Sequence, residues 1–325
     1  MTTQKIRVGI MGCANIARRS LIPAFIAHPQ FELVAIASRS VEKSSEFAKE
    51  FGCAVTVGYE QLLSQDINAI YIPLPTGLHD EWVAKSLHAG KHVFVEKSFG
   101  KDLASTLAIL KVAIDSKLVA MENFMFPFHS QHKHLLKVVN EGVIGKIQLF
   151  RATFWFPPLD SENFRYQSDI GGGALLDVGA YTAKAAQEFL GQNYTLLSAS
   201  MGFDPDKHVD ISGSAHLLFD EKIPVQLAWG FDHFYQCEIQ ILGSLGKITT
   251  NRSFTANIGF EPSILLETPN EKQEIKMPTD NHFYNVLTEF ARRISTGAHE
   301  ESAREINEQS ALLDSILKTA TQHSS

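Results

Sequence analysis

Asp177 and Tyr181 stand four residues apart behind three consecutive glycines, in the stretch "GGGALLDVGAYTAKAAQ" (171–187). A helix starting near Gly173 would put that carboxylate and that phenol on one face. A free phenol ionises at about pH 10, so it needs a cationic neighbour to give up a proton near neutrality. The carboxylate could hold a substrate hydroxyl. The same stripe runs on through Lys184 and Glu188, so spacing alone describes a solvated helix face equally well.

A second group of residues suits anion binding. The first apolar run ends in "GIMGCANIA", where Gly12, Cys13, Ala14, Asn15, Ile16 and Ala17 follow G-x-G-x-x-A with alanine for the second glycine. That pattern serves a tight turn after a strand, a backbone close to a pyrophosphate, and a helix N-terminus whose free N–H groups hold the anion. The next apolar run ends in Ser38-Arg39-Ser40. An Asp or Glu there would take the ribose hydroxyls of NAD, whereas a guanidinium flanked by hydroxyls suits a 2'-phosphate. The predicted cofactor is NADP(H).

These residues need elements to position them. "KIRVGIMG" (5–12), "ELVAIAS" (32–38), "NAIYIPLP" (68–75), "HVFVEK" (92–97) and "LVAMEN" (118–123) read as strands. They are apolar almost throughout, as parallel strands covered on both faces are. Helices are expected near 15–28, 41–51, 78–89 and 101–116, with Pro23 interrupting the first. After residue 123 the runs lengthen and alternate: 145–156, 194–203, 210–220, 223–234 and 235–244, with one helix at about 174–190 and a helical tail at 281–318. The expected fold is an α/β Rossmann domain (1–123) followed by an α+β domain (124–325) with a large, mostly antiparallel open sheet.

Composition narrows the function. A formal net charge of −7 over 325 residues argues against a non-specific grip on nucleic acid or anionic membranes. No apolar segment approaches the roughly 20 residues that cross a bilayer, and the N-terminus lacks the shape of a signal peptide. Cys13, Cys53 and Cys237 are scattered, without C-x-x-C, which argues against a disulfide scaffold and for a reducing, cytoplasmic setting. No His/Asp/Glu cluster has ligand spacing, so no metal is expected.

Glu96-Lys97 in "HVFVEKSFG", with "PLPTGLH" (73–79) upstream and the glycine–Asp177–Tyr181 segment downstream, resembles the Gfo/Idh/MocA oxidoreductase family. The family usually reads E-K-P, and this chain has Ser98 for the proline. Tyr181 replaces the histidine of many members. The resemblance implies that Lys97 lies beside the nicotinamide and the reacting carbon. It also implies that Pro73, Leu74, Thr76, His79, Glu96 and Asn123 line the cofactor with the glycine turn. An ammonium at that place stabilises charge on a carbonyl oxygen during hydride transfer, and would lower the Tyr181 pKa so that the phenol can protonate a ketone. The predicted catalytic set is Lys97, Tyr181 and Asp177, from both domains. Trp155 and Arg165 join Lys97, Asp177 and Tyr181 as substrate-binding candidates, Trp155 as a ring wall for a sugar and Arg165 for sugar hydroxyls or a diphosphate.

A narrower likeness lies in "GCANIARRSLIPA", "SENFRYQSDIGGGALLDVGAY" and "ILGSLGKITTNRSF". These are similar to the subgroup that includes the sugar 3-ketoreductases of deoxysugar biosynthesis. The implied activity is NADP(H)-dependent hydride transfer to a keto carbon of a sugar, free or nucleotide-linked. Dehydrogenation of free sugars or trans-dihydrodiols, as in the xylose and dihydrodiol dehydrogenases, and a non-catalytic NADP-binding sensor are the alternatives. The relatives imply a homodimer or homotetramer formed through the open sheet.

Overall fold

The protein is described by a computed structural model over residues 4–324. In chain order the first elements are β1 (Ile6–Met11), α1 (Ile22–Ala27), β2 (Phe31–Ser38), α2 (Val41–Phe51), β3 (Ala54–Val57), α3 (Tyr59–Leu63), β4 (Ala69–Ile72), α4 (His79–His88), β5 (His92–Val95), α5 (Leu103–Asp115) and β6 (Ala120–Glu122). The remainder are α6 (Ser130–Asn140), β7 (Ile147–Trp155), α7 (Ala180–Leu190), β8 (Tyr194–Asp204), β9 (Val209–Phe219), β10 (Ile223–Gly230), β11 (Gln236–Gly243), β12 (Lys247–Asn251), β13 (Ser263–Glu267), β14 (Lys272–Lys276), α8 (His282–Thr296), α9 (His299–Thr319) and β15 (Thr321–Ser324).

The first six strands form one parallel sheet in the order β3-β2-β1-β4-β5-β6. All four residues of β4 are buried, as the unbroken apolar runs require. The order reverses between β1 and β4, so the loops leaving their carboxyl ends diverge and leave room for a ligand. Pro23, which has no N–H to give, lies within a helical run over 15–27 directly after a π turn at Ala17–Leu21, where the regular ladder is already interrupted. Strand β3 and helix α3 lie outside the expected elements, being too short, at four and five residues, to show a period.

The chain forms two compact units. One holds the residues up to Asn123 with Phe283–Ser310, the other Phe124–His282 with the residues from Ala311 on. The sequence reading places the whole C-terminal stretch in the second domain, but Phe290 of α8 lies 5.2 Å from Phe94 and 6.2 Å from Phe31 in the first. Ala303 and Ile306 of α9 pack in a second cluster of the first unit, with Val93 and Val95 of β5 and Ile109 and Leu110 of α5. Burying these apolar faces on the first sheet is what draws the two helices there.

In the second unit nine strands run β14-β13-β12-β11-β7-β10-β9-β8-β15. Pairing is antiparallel except between β10 and β7 and between β15 and β8. Strand β7 alternates from Phe150 on, and its Phe150, Ala152 and Phe154 are buried on the face that α7 covers. No described helix is long and apolar enough to cross a membrane.

Candidate active site

The first unit carries the residues assigned to a dinucleotide. Gly12 has φ +123°, and a Cβ there would come within 2.9 Å of Leu74 Cδ2. The turn after β1 thus presses against the loop after β4, an approach that glycine alone allows. Beyond it the chain is helical over 15–27, and the first i→i−4 bond runs from Arg18 N to Ala14 O at 3.1 Å. The N–H groups of Asn15, Ile16 and Ala17 precede that ladder and form the donor set an anion takes. These residues fit a pyrophosphate.

At the end of β2, Ser38 is buried and its Oγ accepts from Ser40 N at 3.1 Å. Burial raises the pKa of the neighbouring Cys13 thiol, and Ser38 opposes that rise. Ser40 caps α2: its Oγ accepts from Lys43 N at 3.2 Å and donates to Glu42 Oε2 at 2.7 Å. Arg39 is exposed, and its charge opposes the rise that burial gives the Tyr59 phenol. An exposed guanidinium fits a 2'-phosphate.

The strand ends of β5 and β6 hold a buried polar group. Tyr71 Oη donates to Glu96 Oε1 at 2.5 Å, and Asn123 Nδ2 donates to the same oxygen at 2.7 Å. Burial raises the Glu96 pKa, which those two hydrogen bonds and the neighbouring Lys97 charge oppose. Lys97 is half-buried, and its peptide bond to Ser98 is cis. Pro73 and Thr76 are buried in the loop after β4. His79 departs from the expected cofactor contact. Its ring is wholly buried, with Nε2 at 2.8 Å from Leu74 O and Nδ1 at 2.8 Å from Ser98 O. It braces the two loops through their backbone, and burial holds its pKa below the ordinary value.

The second unit carries Asp177 and Tyr181. Gly171 adopts the left-handed region at φ +81°, and Gly173 has φ +123°. A Cβ on Gly172 would meet Arg165 O at 2.6 Å, and one on Gly173 would meet Asp210 Oδ1 at 2.3 Å. The three glycines let the chain pass between Arg165 and Asp210. Asp210 Oδ2 then accepts from Leu175 N at 2.6 Å and caps the helical run. Burial raises Asp210 to about 6, against the pull of hydrogen bonds from Leu175, Asp210 and Ala174 N–H groups.

The run begins as a π turn over Leu175–Gly179 and becomes regular only at α7. A Cβ on Gly179 would lie 3.0 Å from the Trp229 ring, so the wider turn passes against the indole. Tyr181, 8% exposed, is packed by Phe124, Phe126, Phe154 and Phe254 at 5.5 to 5.9 Å between ring centroids. Its hydroxyl lies 3.8 Å from Met125 Sδ. Asp177 Oδ2 accepts from Arg165 Nε at 2.5 Å, so the two predicted substrate contacts bind each other.

Trp155 needs correction as a wall beside Tyr181. Phe154 packs on Tyr181, and alternation turns the next residue to the opposite face of the sheet. There Trp155 stacks on His233 at 4.5 Å and covers Gly230, where a Cβ would meet its ring at 2.3 Å. Phe156 is the aromatic on the Arg165 side, its ring 5.9 Å from the guanidinium. Asp210 and Tyr71 are absent from the sequence reading. Asp210 acts on a residue 35 positions earlier, and no local spacing signals such a cap.

Residues 6–124 match the family model of the GFO_IDH_MocA oxidoreductases with an NAD-binding Rossmann fold, and residues 132–249 match the model of the GFO/IDH/MocA C-terminal domain. The chain is 37% identical over 313 residues to the dTDP-3,4-didehydro-2,6-dideoxy-alpha-D-glucose 3-reductase of Actinomadura kijaniata, covering 96% of this chain and 94% of that protein. It is 31% identical over 315 residues to D-xylose 1-dehydrogenase (NADP(+)) 2 of Haloferax volcanii, covering 96% and 94%. A crystal structure of a 3-ketoreductase from Actinomadura kijaniata in complex with NADP and TDP-benzene superimposes with a TM-score of 0.96 at 36% identity, over 99% of this chain and 100% of that one.

Proposed function

The chain belongs to the Gfo/Idh/MocA oxidoreductase family, and from that premise we propose that it is an NADP(H)-dependent reductase of a 3-keto group on a dTDP-linked deoxysugar. The observation that carries this reading is end-to-end similarity to a dTDP-sugar 3-reductase, supported by the presence in the sequence of Lys97, Asp177 and Tyr181 in the motifs that carry the family resemblance. Reducing a ketone puts a hydride on carbon and a proton on oxygen. NADPH, when bound, supplies the hydride. Tyr181 Oη gives its proton to the ketone oxygen. The ammonium of Lys97 is assigned to the same oxygen, where it stabilises negative charge and favours release of the phenolic proton. Asp177 orients a sugar hydroxyl. The glycine turn from Gly12 to Ile16 takes the pyrophosphate, and Arg39 takes the 2'-phosphate. A cytoplasmic homodimer or homotetramer belongs to the same reading.

The test is coenzyme oxidation by the purified protein with dTDP-linked 3-keto sugars, in parallel with NADP+ reduction by D-xylose and trans-dihydrodiols. Keto-sugar turnover with NADPH, at least tenfold more efficient than with NADH, is expected. Replacing Tyr181 by Phe should lower kcat by about 10²- to 10⁴-fold. Preferential oxidation of xylose, for which the D-xylose dehydrogenase likeness gives a reason, would replace this reading with the dehydrogenase one.

A further inference from the structure

Asp177 precedes Tyr181 by one turn of the helical run. An uncompensated carboxylate so close would disfavour the phenolate and make Tyr181 a poorer proton donor. The structure compensates it. Arg165 Nε sits 2.5 Å from Asp177 Oδ2, and the guanidinium is packed against the rings of Phe164 at 4.7 Å and Phe156 at 5.9 Å. The backbone of the same residue is fixed to the glycine turn, where Arg165 O accepts from Gly173 N at 2.9 Å. Arg165 is therefore anchored on both its main chain and its side chain, in a stretch whose path the glycines determine.

In this unit Arg165 and Asp177 stand as a charged pair near the Tyr181 phenol, in addition to the Lys97 ammonium that the proposed function assigns to it. Phe124, Met125 and Phe126 from one segment, Phe154 from β7 and Phe254 from the segment after β12 are apolar. On its own helix, Lys184 is drawn to Glu188 at 2.9 Å. Tyr166, next to Arg165 in sequence, donates its hydroxyl to Asp232 at 2.5 Å. Arg165 is also close enough for its charge to interact with the Tyr181 phenol directly.

We propose that Arg165 is a positioning residue for the proton donor: its pair with Asp177 fixes that carboxylate and offsets its charge, which keeps Tyr181 acidic enough to protonate the substrate. The inference rests on the assignment of Tyr181 as donor and goes beyond it by giving the local charge balance a named pair. It also moves Arg165 from a contact with sugar or diphosphate to a role exerted through Asp177.

The two charges pull the phenol in opposite directions, and that sets the test. In the full-length enzyme with NADPH, the alkaline limb of the kcat profile follows loss of the donor proton. Arg165→Gln should move that limb to higher pH by about one unit, Asp177→Asn should move it to lower pH, and Arg165→Lys should stay near the parent. Phenolate ultraviolet absorbance, taken as the difference between each protein and its Tyr181→Phe form, should shift in the same directions without any turnover. If Arg165→Gln raises KM alone, or lowers kcat equally at every pH while the phenol titration stays put, the inference is wrong. Loss of the opposite signs between Arg165→Gln and Asp177→Asn would also overturn it. If Tyr181→Phe keeps its turnover, the donor assignment itself fails, and that result is distinct from all of these.

Discussion

Two buried donors, Tyr71 Oη and Asn123 Nδ2, converge on the single oxygen Oε1 of Glu96. The register explains it. Tyr71 pairs with Phe94 across β4 and β5, and Glu96, two residues further, points to the same side as Phe94. The carboxyl group is thereby held in one orientation next to Lys97, and the two donors and the lysine charge oppose the upward pull of burial on its pKa. Tyr71→Phe removes one donor and leaves the other. The folded pKa of Glu96, already raised, should rise further, so the carboxylate is lost at higher pH as the solution is acidified. The acid limb of the kcat profile should then move to higher pH, with a stability loss of about 1–3 kcal/mol in urea denaturation. An unmoved acid limb would remove Glu96 from the support of Lys97. The sequence names Glu96 and Lys97 from their motif, but Tyr71 reads there as one more apolar strand position in "AIYI".

At the scale of the element, the helical run bearing Asp177 and Tyr181 depends on Gly173 and Asp210. Gly173→Ala would need a side chain at φ +123° and a Cβ 2.3 Å from Asp210 Oδ1. The carboxylate would have to withdraw, and Leu175 N would lose its 2.6 Å cap. A destabilisation of about 2–4 kcal/mol is expected, with kcat reduced at least tenfold because Asp177 and Tyr181 follow directly from that turn. Gly191→Ala, at the far end of α7 where a Cβ would meet nothing within 4 Å, carries only the backbone penalty of its φ of +92° and should leave kcat nearly unchanged. Equal loss of kcat in both variants would refute the cap. The comparison shows what the sequence could disclose. Three glycines before a helix signal a tight turn, and the i,i+4 pair signals a shared face. The partner that makes Gly173 obligatory lies on β9, and the π turn that seats Gly179 on Trp229 leaves the apolar pattern unchanged, so neither has a local signature. Trp155 was open to reading by alternation alone, since "FRATFWF" puts Phe154 and Phe156 on one face and Trp155 on the other. Short strands such as β3 and β14, with few buried positions, gave no period to find.

Over the whole molecule, buried titratable groups set the response to acid. Burial depresses His92 and His132 to about 4 and His282 to about 3, and lowers His28, His79 and His129 as well. Each binds its proton more readily unfolded, near the ordinary 6.5, so its contribution is intact above that pH and is lost as pH falls through the folded value. Asp210, raised to about 6, works in the opposite sense: the folded state holds its proton between about 6 and the ordinary 3.8, and acid stabilises it. Glu96 acts in the same direction as Asp210. The six depressed histidines outnumber Asp210 and Glu96, so unfolding takes up protons below pH 6 and stability should decline between pH 6 and pH 5. Urea midpoints measured at half-unit steps from pH 7.5 to 5 would show it as a steepening decline, and a flat profile would contradict the burial of these rings. One variant isolates a single proton. His92 Nδ1 accepts from Val119 N at 3.0 Å, and Asn presents an acceptor at about the same place without a titrating ring. His92→Asn should keep its stability at pH 7.5 to within about 1 kcal/mol and lose about 1.4 kcal/mol less per pH unit than the parent below pH 6.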